Sequence, residues 1–329
     1  MLNYEKNQRE CMKEVFERIT SLPEEKQKML LSRLEQAACG NFRKTSDPLI
    51  RQKGTSNIPL SFAQKRMWFL NQLDPDSPYY NMSAAAEITG PLDPHILNKA
   101  LSAIIDRHQI LRSYYTISSG EPLQHIKPAA QDSLRIVDLK DLPDGEKEAQ
   151  IDEHIKKDAL QRFDLHNGPL YRFTLIIAGE ERFILLITFH HIVSDGWSVR
   201  LFLDEFMELY TKFISSIEYI YPYPQFQYSD YAAWQLKNYG SDNYKKQLSY
   251  WILKTKDLPG TLELPFSKPR PKIQTFNGKV LRFLIPGDLK LKISKLSQER
   301  NLTVYMIGLA AFQALLFRYT NLEKFGIGT

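Results

Sequence analysis

The stretch Phe189-His190-His191-Ile192-Val193-Ser194-Asp195-Gly196-Trp197-Ser198 joins two segments of different period, and its reading decides the fold. Before it, Phe183 to Phe189 is a short, very apolar run, as a strand buried on both faces is. After it, Val199, Phe202, Leu203, Phe206, Leu209 and Tyr210 fall on one helical face, so a helix starts at about Ser198. The loop thus leads from a buried strand into a helix N-terminus. Neighbouring strand residues point to opposite faces, so only one of His190 and His191 can enter a given cavity, which fits one structural and one working histidine. Imidazole, with an unperturbed pKa of roughly 6.5, gives and takes protons near neutral pH. At the helix start Asp195 can cap amides or pair with an arginine, and Gly196 lets backbone approach a substrate closely. The free N–H groups there favour developing negative charge. Taken alone, the histidine pair also reads as packed and hydrogen-bonded, and Asp195 as a plain cap. A metal is not expected, because adjacent strand residues cannot both face one ion and no further ligand motif occurs.

Outward from the loop, an α/β pattern emerges. Pro91 to His108 carries Ile96, Leu97, Ala100, Leu101, Ile104 and Ile105 at helical spacing, and strands are predicted at Ile110 to Ile117 and Leu170 to Ile177. Two short amphipathic helices are predicted between Tyr4 and Ala38, with Ser21-Leu22-Pro23-Glu24 as a capping box. Residues 41–57 lose the apolar pattern and read as a solvated connector. Tyr219-Ile220-Tyr221-Pro222-Tyr223-Pro224 is extended and aromatic, and its prolines exclude a central strand or a helix interior. It marks a crossover between lobes. Beyond it, Tyr244 to Leu253, Leu289 to Gln298 and Val304 to Tyr319 are predicted helices, Pro265 to Pro271 is a surface passage, and Phe325 to Thr329 reads as a strand beginning.

The 329 residues are 43% hydrophobic and 25% charged, an ordinary globular mixture long enough for about two domains or lobes. The 43 basic and 38 acidic residues are interspersed, so the net charge of +5 forms no focused basic patch and no nucleic-acid partner is expected. Apolar runs are too short or too interrupted to cross a bilayer, and no membrane partner is expected. The start lacks a secretory pattern, and Cys11 and Cys39 as free thiols fit a reducing compartment, so the expected location is the cytoplasm. G-x-S-x-G, a P-loop, G-x-G-x-x-G and H-E-x-x-H do not occur, which removes serine-hydrolase, nucleotide and zinc-protease readings.

Four motifs stand in order. The first is Leu60-Ser61-Phe62-Ala63-Gln64-Lys65-Arg66-Met67-Trp68-Phe69-Leu70, followed by Ser77-Pro78-Tyr79-Tyr80-Asn81. The second is Arg107-His108-Gln109-Ile110-Leu111-Arg112-Ser113, the third is the H-H-x-x-x-D-G loop, and the fourth is Tyr228-Ser229-Asp230-Tyr231-Ala232-Ala233-Trp234. Phe163-Asp164-Leu165, Gly168-Pro169-Leu170, Tyr250-Trp251, Pro269-Arg270-Pro271 and Ala310-Ala311-Phe312 through Arg318-Tyr319-Thr320 support them. The loop alone is shared by several acyltransferase families. The ordered set, from about Asn57 to Thr329, resembles the condensation domains of nonribosomal peptide synthetases.

That resemblance implies an α/β fold of two chloramphenicol-acetyltransferase-like lobes, the first complete at residues 58–218 and the second, with the crossover at 219–329, incomplete. On this reading the chain is a fragment of a longer synthetase or a split gene product, and the absent remainder of the second lobe counts against catalysis in isolation. The implied reaction joins a carrier-bound acyl or peptidyl thioester to a carrier-bound aminoacyl amine. His191 faces the tunnel and orients or deprotonates the amine, Asp195 pairs with Arg66 to hold the loop, and Gly196 with neighbouring amides faces the oxyanion. His190 packs or hydrogen-bonds the loop at the substrate site, Trp197 and Ser198 are wall residues, and Arg66, Arg107, Arg112 and Trp234 are structural supports. No cofactor is bound by the chain itself; substrates arrive on 4'-phosphopantetheine arms. The expected partners are upstream and downstream peptidyl carrier domains, with residues 1–40 either docking to an upstream synthetase protein or packing as a leader. A coenzyme A-dependent acyltransferase and a non-catalytic carrier-binding remnant are the alternatives.

Overall fold

The computed structural model describes residues 48–51, 54–129, 133–216, 222–260, 262–265 and 281–328, and all that follows belongs to the unit Leu49–Thr329. The predicted N-terminal helices, residues 41–47 of the connector, Tyr219 to Tyr221 and Pro269 to Pro271 lie outside the described residues.

The apolar run predicted as a buried strand is β7, Arg182–His190, and it lies inside a four-stranded sheet. The order is β2 (Asn81–Thr89), β7, β6 (Tyr171–Gly179) and β5 (Leu134–Asp138), antiparallel except for the parallel pair β5 and β6. Strand alternation divides β7 between two cores. Phe183, Leu185, Ile187 and Phe189 face helices α2 (Pro94–Arg107) and α4 (Gly196–Ile214), whose Leu101, Ile104, Phe202 and Phe206 are buried with them. Phe202 stacks on Phe173 with ring centroids 5.5 Å apart and meets Phe189 edge-on at 5.1 Å. Ile184 and Leu186, on the opposite face, pack with Ile176 and with Ile151 of α3 (Asp144–Leu160). The sheet is therefore covered on both faces, which is why its two inner strands carry almost no polar alternation.

A second sheet, β1 (Ile58–Pro59), β4 (Glu121–Ile126) and β3 (Ser113–Ser118), lies beside helix α1 (Phe62–Leu73). The strand predicted from Ile110 begins three residues later. Gln109–Arg112 form a turn of 3-10 helix because the Arg112 guanidinium reaches back to the carbonyls of Ile105 and Asp106, which α2 leaves unpaired at its C-terminus. Helix α5 (Tyr228–Asn238) docks on this region: Gln227 accepts from the Gln109 amide and donates to the Arg107 carbonyl, and Gln235 accepts from the Phe62 amide.

Helices α6 (Asp242–Thr255), α7 (Gly287–Arg300) and α8 (Val304–Thr320) follow, close to their predicted bounds. From Asp242 onward Leu316 is the one described residue that is buried. The strand predicted at Phe325 does not form over the described residues 325–328, which have no partner strand. Among the described residues no single helix is long and apolar enough to cross a membrane.

Candidate active site

Three backbone hydrogen bonds fix the loop at the end of β7. The His190 amide donates to the Leu170 carbonyl (3.0 Å), that of His191 to the Tyr80 carbonyl (2.8 Å), and that of Val193 to the His190 carbonyl (3.0 Å). These contacts explain why Ser77 to Asn81 and Gly168 to Leu170 belong with the loop although they are distant in sequence. Asn81, opposite His190 in the sheet, donates its side-chain amide to the carbonyls of Ala159 and Gln161 at the end of α3. Strand β2 is thereby tied to the C-terminus of that helix.

The two histidines take opposite roles. His190 points to the same sheet face as Ile184, Leu186 and Thr188, is 3% exposed, and lies against the rings of Tyr80 and Phe163. Its Nδ1 accepts the Ile192 amide (3.0 Å). Burial, then the neighbouring His191 charge, pulls its pKa down to about 4, so it is neutral at physiological pH. His191 turns to the other side, and its Nδ1 lies 2.7 Å from the Ser194 carbonyl oxygen. A carbonyl can only accept, so Nδ1 carries a proton, and in the neutral ring Nε2 keeps its lone pair. The ring is both oriented and set in one tautomer by the chain three residues on.

Asp195 caps α4: one carboxylate oxygen accepts from the Ser198 amide (2.8 Å) and the Ser198 hydroxyl (2.6 Å). The hydroxyl bond, then the amide bond, holds this carboxyl below the usual range against a smaller opposing effect of burial. Among the described residues Asp195 forms no ion pair with Arg66; its carboxylate is turned to the helix start, where the Ser198 and Trp197 backbone and the Ser198 hydroxyl hold it. Gly196 is the first residue of α4, and a Cβ there would meet nothing within 4 Å. The glycine is therefore not required by close packing within this chain.

A cavity of about 370 Å³ opens beside the loop. Its wall includes His191, Ser194, Asp195 and Ser198 from the loop, Arg66 from α1, His108 at the end of α2 and Tyr228 from α5. Of the residues expected at the site, His191, Asp195, Ser198 and Arg66 thus come together. His190 does not line the cavity, since its strand position turns it to the opposite face of the sheet, against Tyr80 and Phe163. Trp197 is also outside the wall and 74% exposed, because the second helical position of α4 turns it outward. Arg107 pairs with Glu205 of α4 (3.5 Å), Arg112 closes the end of α2, and Trp234 packs beside Tyr231 within α5. These three act in the scaffold around the cavity.

Sequence reasoning missed several wall contacts. His108 bonds Glu205 (2.7 Å), and the Tyr228 hydroxyl bonds Ser61 (2.9 Å). Gln64, buried, accepts from the Ser61 amide and donates to Tyr115 and Gln124. His108, Tyr228 and Gln64 all lie in quoted motifs, but apart from the local Ser61–Gln64 capping box their partners are far away in sequence, so spacing carried no signal of those contacts. The Ser194 carbonyl is invisible in sequence for another reason: every residue has one. Among the described residues no group of three or more His, Cys, Asp or Glu could hold a metal ion.

A family model for the condensation domain matches residues 55–329. A linear gramicidin synthase protein of Brevibacillus parabrevis is 40% identical over 285 residues, which is 87% of this chain and 4% of that protein. Phosphinothricin tripeptide synthetase PhsC of Streptomyces viridochromogenes is 34% identical over 320 residues, 97% of this chain and 29% of that one. The chain therefore spans a small part of the length of these relatives. Its fold is similar to the first condensation domain of the CDA synthetase, with a TM-score of 0.65 at 23% identity, covering 82% of this chain and 64% of that one. The X-domain from teicoplanin biosynthesis gives 0.71 at 22% identity, with 83% and 60% covered. With the motif loop, its two-faced sheet and the family match in agreement, the chain belongs to the condensation-domain family of nonribosomal peptide synthetases, with that family's chloramphenicol-acetyltransferase-like α/β fold.

Proposed function

We propose that the chain catalyses amide formation between a donor acyl or peptidyl thioester and an acceptor aminoacyl amine, both carried on phosphopantetheine arms of carrier domains. The observation that carries this reading is the 2.7 Å contact of His191 Nδ1 with the Ser194 carbonyl, which leaves Nε2 as the basic nitrogen of a ring lining the cavity. The acceptor nitrogen adds to the thioester carbon, forming the C–N bond and a tetrahedral oxyanion; the oxyanion collapses with loss of the C–S bond, and the amine proton passes through Nε2 to the departing thiolate. The unspent amide at Gly196, at the positive end of α4, meets the oxyanion. Asp195 holds the helix start and so the loop. A positioned base contributes typically about 10²–10⁴-fold, and the approximation of two tethered substrates contributes further through effective concentration.

In this reading residues 58–218 form the first lobe and residues 219–329 the crossover and the beginning of the second, after a connector at 41–57. Residues 1–40 dock to an upstream synthetase protein, and the chain works in the cytoplasm without membrane or nucleic acid. Incubation of the chain, with and without its downstream synthetase sequence, with a loaded donor carrier and an aminoacyl acceptor carrier tests the reaction. Amide product is expected, with its rate falling about 10²–10⁴-fold in His191→Ala at unchanged thermal stability. No product, or an undiminished rate in the variant, contradicts the proposal. Deleting residues 1–40 should slow transfer from a carrier while leaving transfer from a small thioester unchanged; equal loss with both argues against docking.

A further inference from the structure

The cavity of about 370 Å³ is at the small end of ligand sites, roughly 300–1,000 Å³, and its wall is divided by chemistry. Met67 of α1, Ile104 of α2, Ile110 and Leu111 of the 3-10 turn, and Leu201 and Phe202 of α4 supply apolar surface. The polar side chains around it are largely engaged with other parts of the protein. Gln64 uses its amide on Ser61, Tyr115 and Gln124. His108 is bonded to Glu205, Tyr228 to Ser61, and the Ser198 hydroxyl to Asp195. Unspent capacity belongs to His191 Nε2, the Ser194 hydroxyl and the Arg66 guanidinium, the groups of the reacting end.

A polar group entering the rest of this space gives up its water and meets few free partners, whereas an apolar group gains by leaving water. The geometry points to a side-chain subsite that selects an apolar substituent, aliphatic or aromatic, on one of the two thioester substrates and disfavours polar groups of the same shape. This inference rests on the proposed condensation reading, and it concerns which substrates that site accepts.

Leucine and asparagine have nearly the same shape, so their N-acetylcysteamine thioesters probe the subsite: the aminoacyl compounds for the acceptor side, the N-acetylaminoacyl compounds for the donor side. Dissociation constants measured on the full chain should favour leucine by roughly tenfold to a hundredfold on one side, which identifies the substrate that fills the subsite. Ala63→Phe, at an exposed wall position on α1, fills the space without entering the core and should erase the preference at unchanged thermal stability. Equal affinities on both sides, or a preference that survives Ala63→Phe, overturn the inference. Binding and turnover separate the two claims. A preference without amide product sinks the proposed reaction and keeps the subsite, while amide product without a preference does the reverse.

Discussion

Strand β7 and helix α8 are both strongly apolar, yet they end in opposite environments. In β7 every residue from Phe183 to Phe189 is buried, whereas in α8 Val304, Tyr305, Met306, Phe312, Leu315 and Phe317 are exposed and only Leu316 is covered. Helices α6 and α7 contain no buried residue at all. Burial is thus a property of the neighbours rather than of the segment. The loop with His191 is held in the first region, by the backbone of Tyr80, Leu170 and His190 and by the Asp195 cap of α4. The apolar faces of α6 to α8 form a larger exposed surface than single scattered side chains produce, and none of it positions the loop.

Substitutions on the two sides of that contrast should differ sharply. Phe173→Ala empties a 2% exposed position ringed by Tyr171, Phe189 and Phe202, and should cost about 3–5 kcal/mol in denaturant unfolding. A loss below about 1 kcal/mol would remove the claim that this core holds the site. His190 gives the next effect. Its folded pKa, about 4, lies below its ordinary 6.5, so between those values the unfolded chain binds the extra proton. Stability is full above about pH 6.5 and is lost as pH falls towards 4, by on the order of 3 kcal/mol. Urea unfolding across that range should show the slope, and His190→Asn should flatten it; an equal slope in the variant assigns it elsewhere. Asp195→Ala removes the cap of α4 and should cost about 1 kcal/mol, checked by thermal unfolding. Smallest is Leu284→Ala at a 95% exposed position, expected within about 0.5 kcal/mol of the parent. A core-sized loss there means that the surface is covered in solution.

What was legible in the sequence follows from the same contrast. The periods of β7 and α4 and the opposite facing of His190 and His191 were readable because sheet and helix geometry impose them on neighbours in sequence. Asp195 was readable as a cap, but the choice of Ser198 over Arg66 as its partner was not, since it depends on where α1 lies. Strand β2, with exposed Ser83, Ala84, Ala85 and Ala86, has no apolar alternation and exists because β7 offers it an edge. Helix α3 is mostly charged and is held by a few positions such as Ile151 and Ile155. The strand expected at Ile110 yielded to the long reach of Arg112, which no local pattern announces.

The central claim is that the Ser194 carbonyl sets His191 as the histidine with a basic Nε2, opposite in tautomer to His190. Nitrogen NMR of histidine-labelled protein, assigned with His190→Asn and His191→Ala, reads both rings directly. His191 should carry its proton at Nδ1 and neutral His190 its proton at Nε2. An Nε2–H tautomer at His191 would contradict the claim.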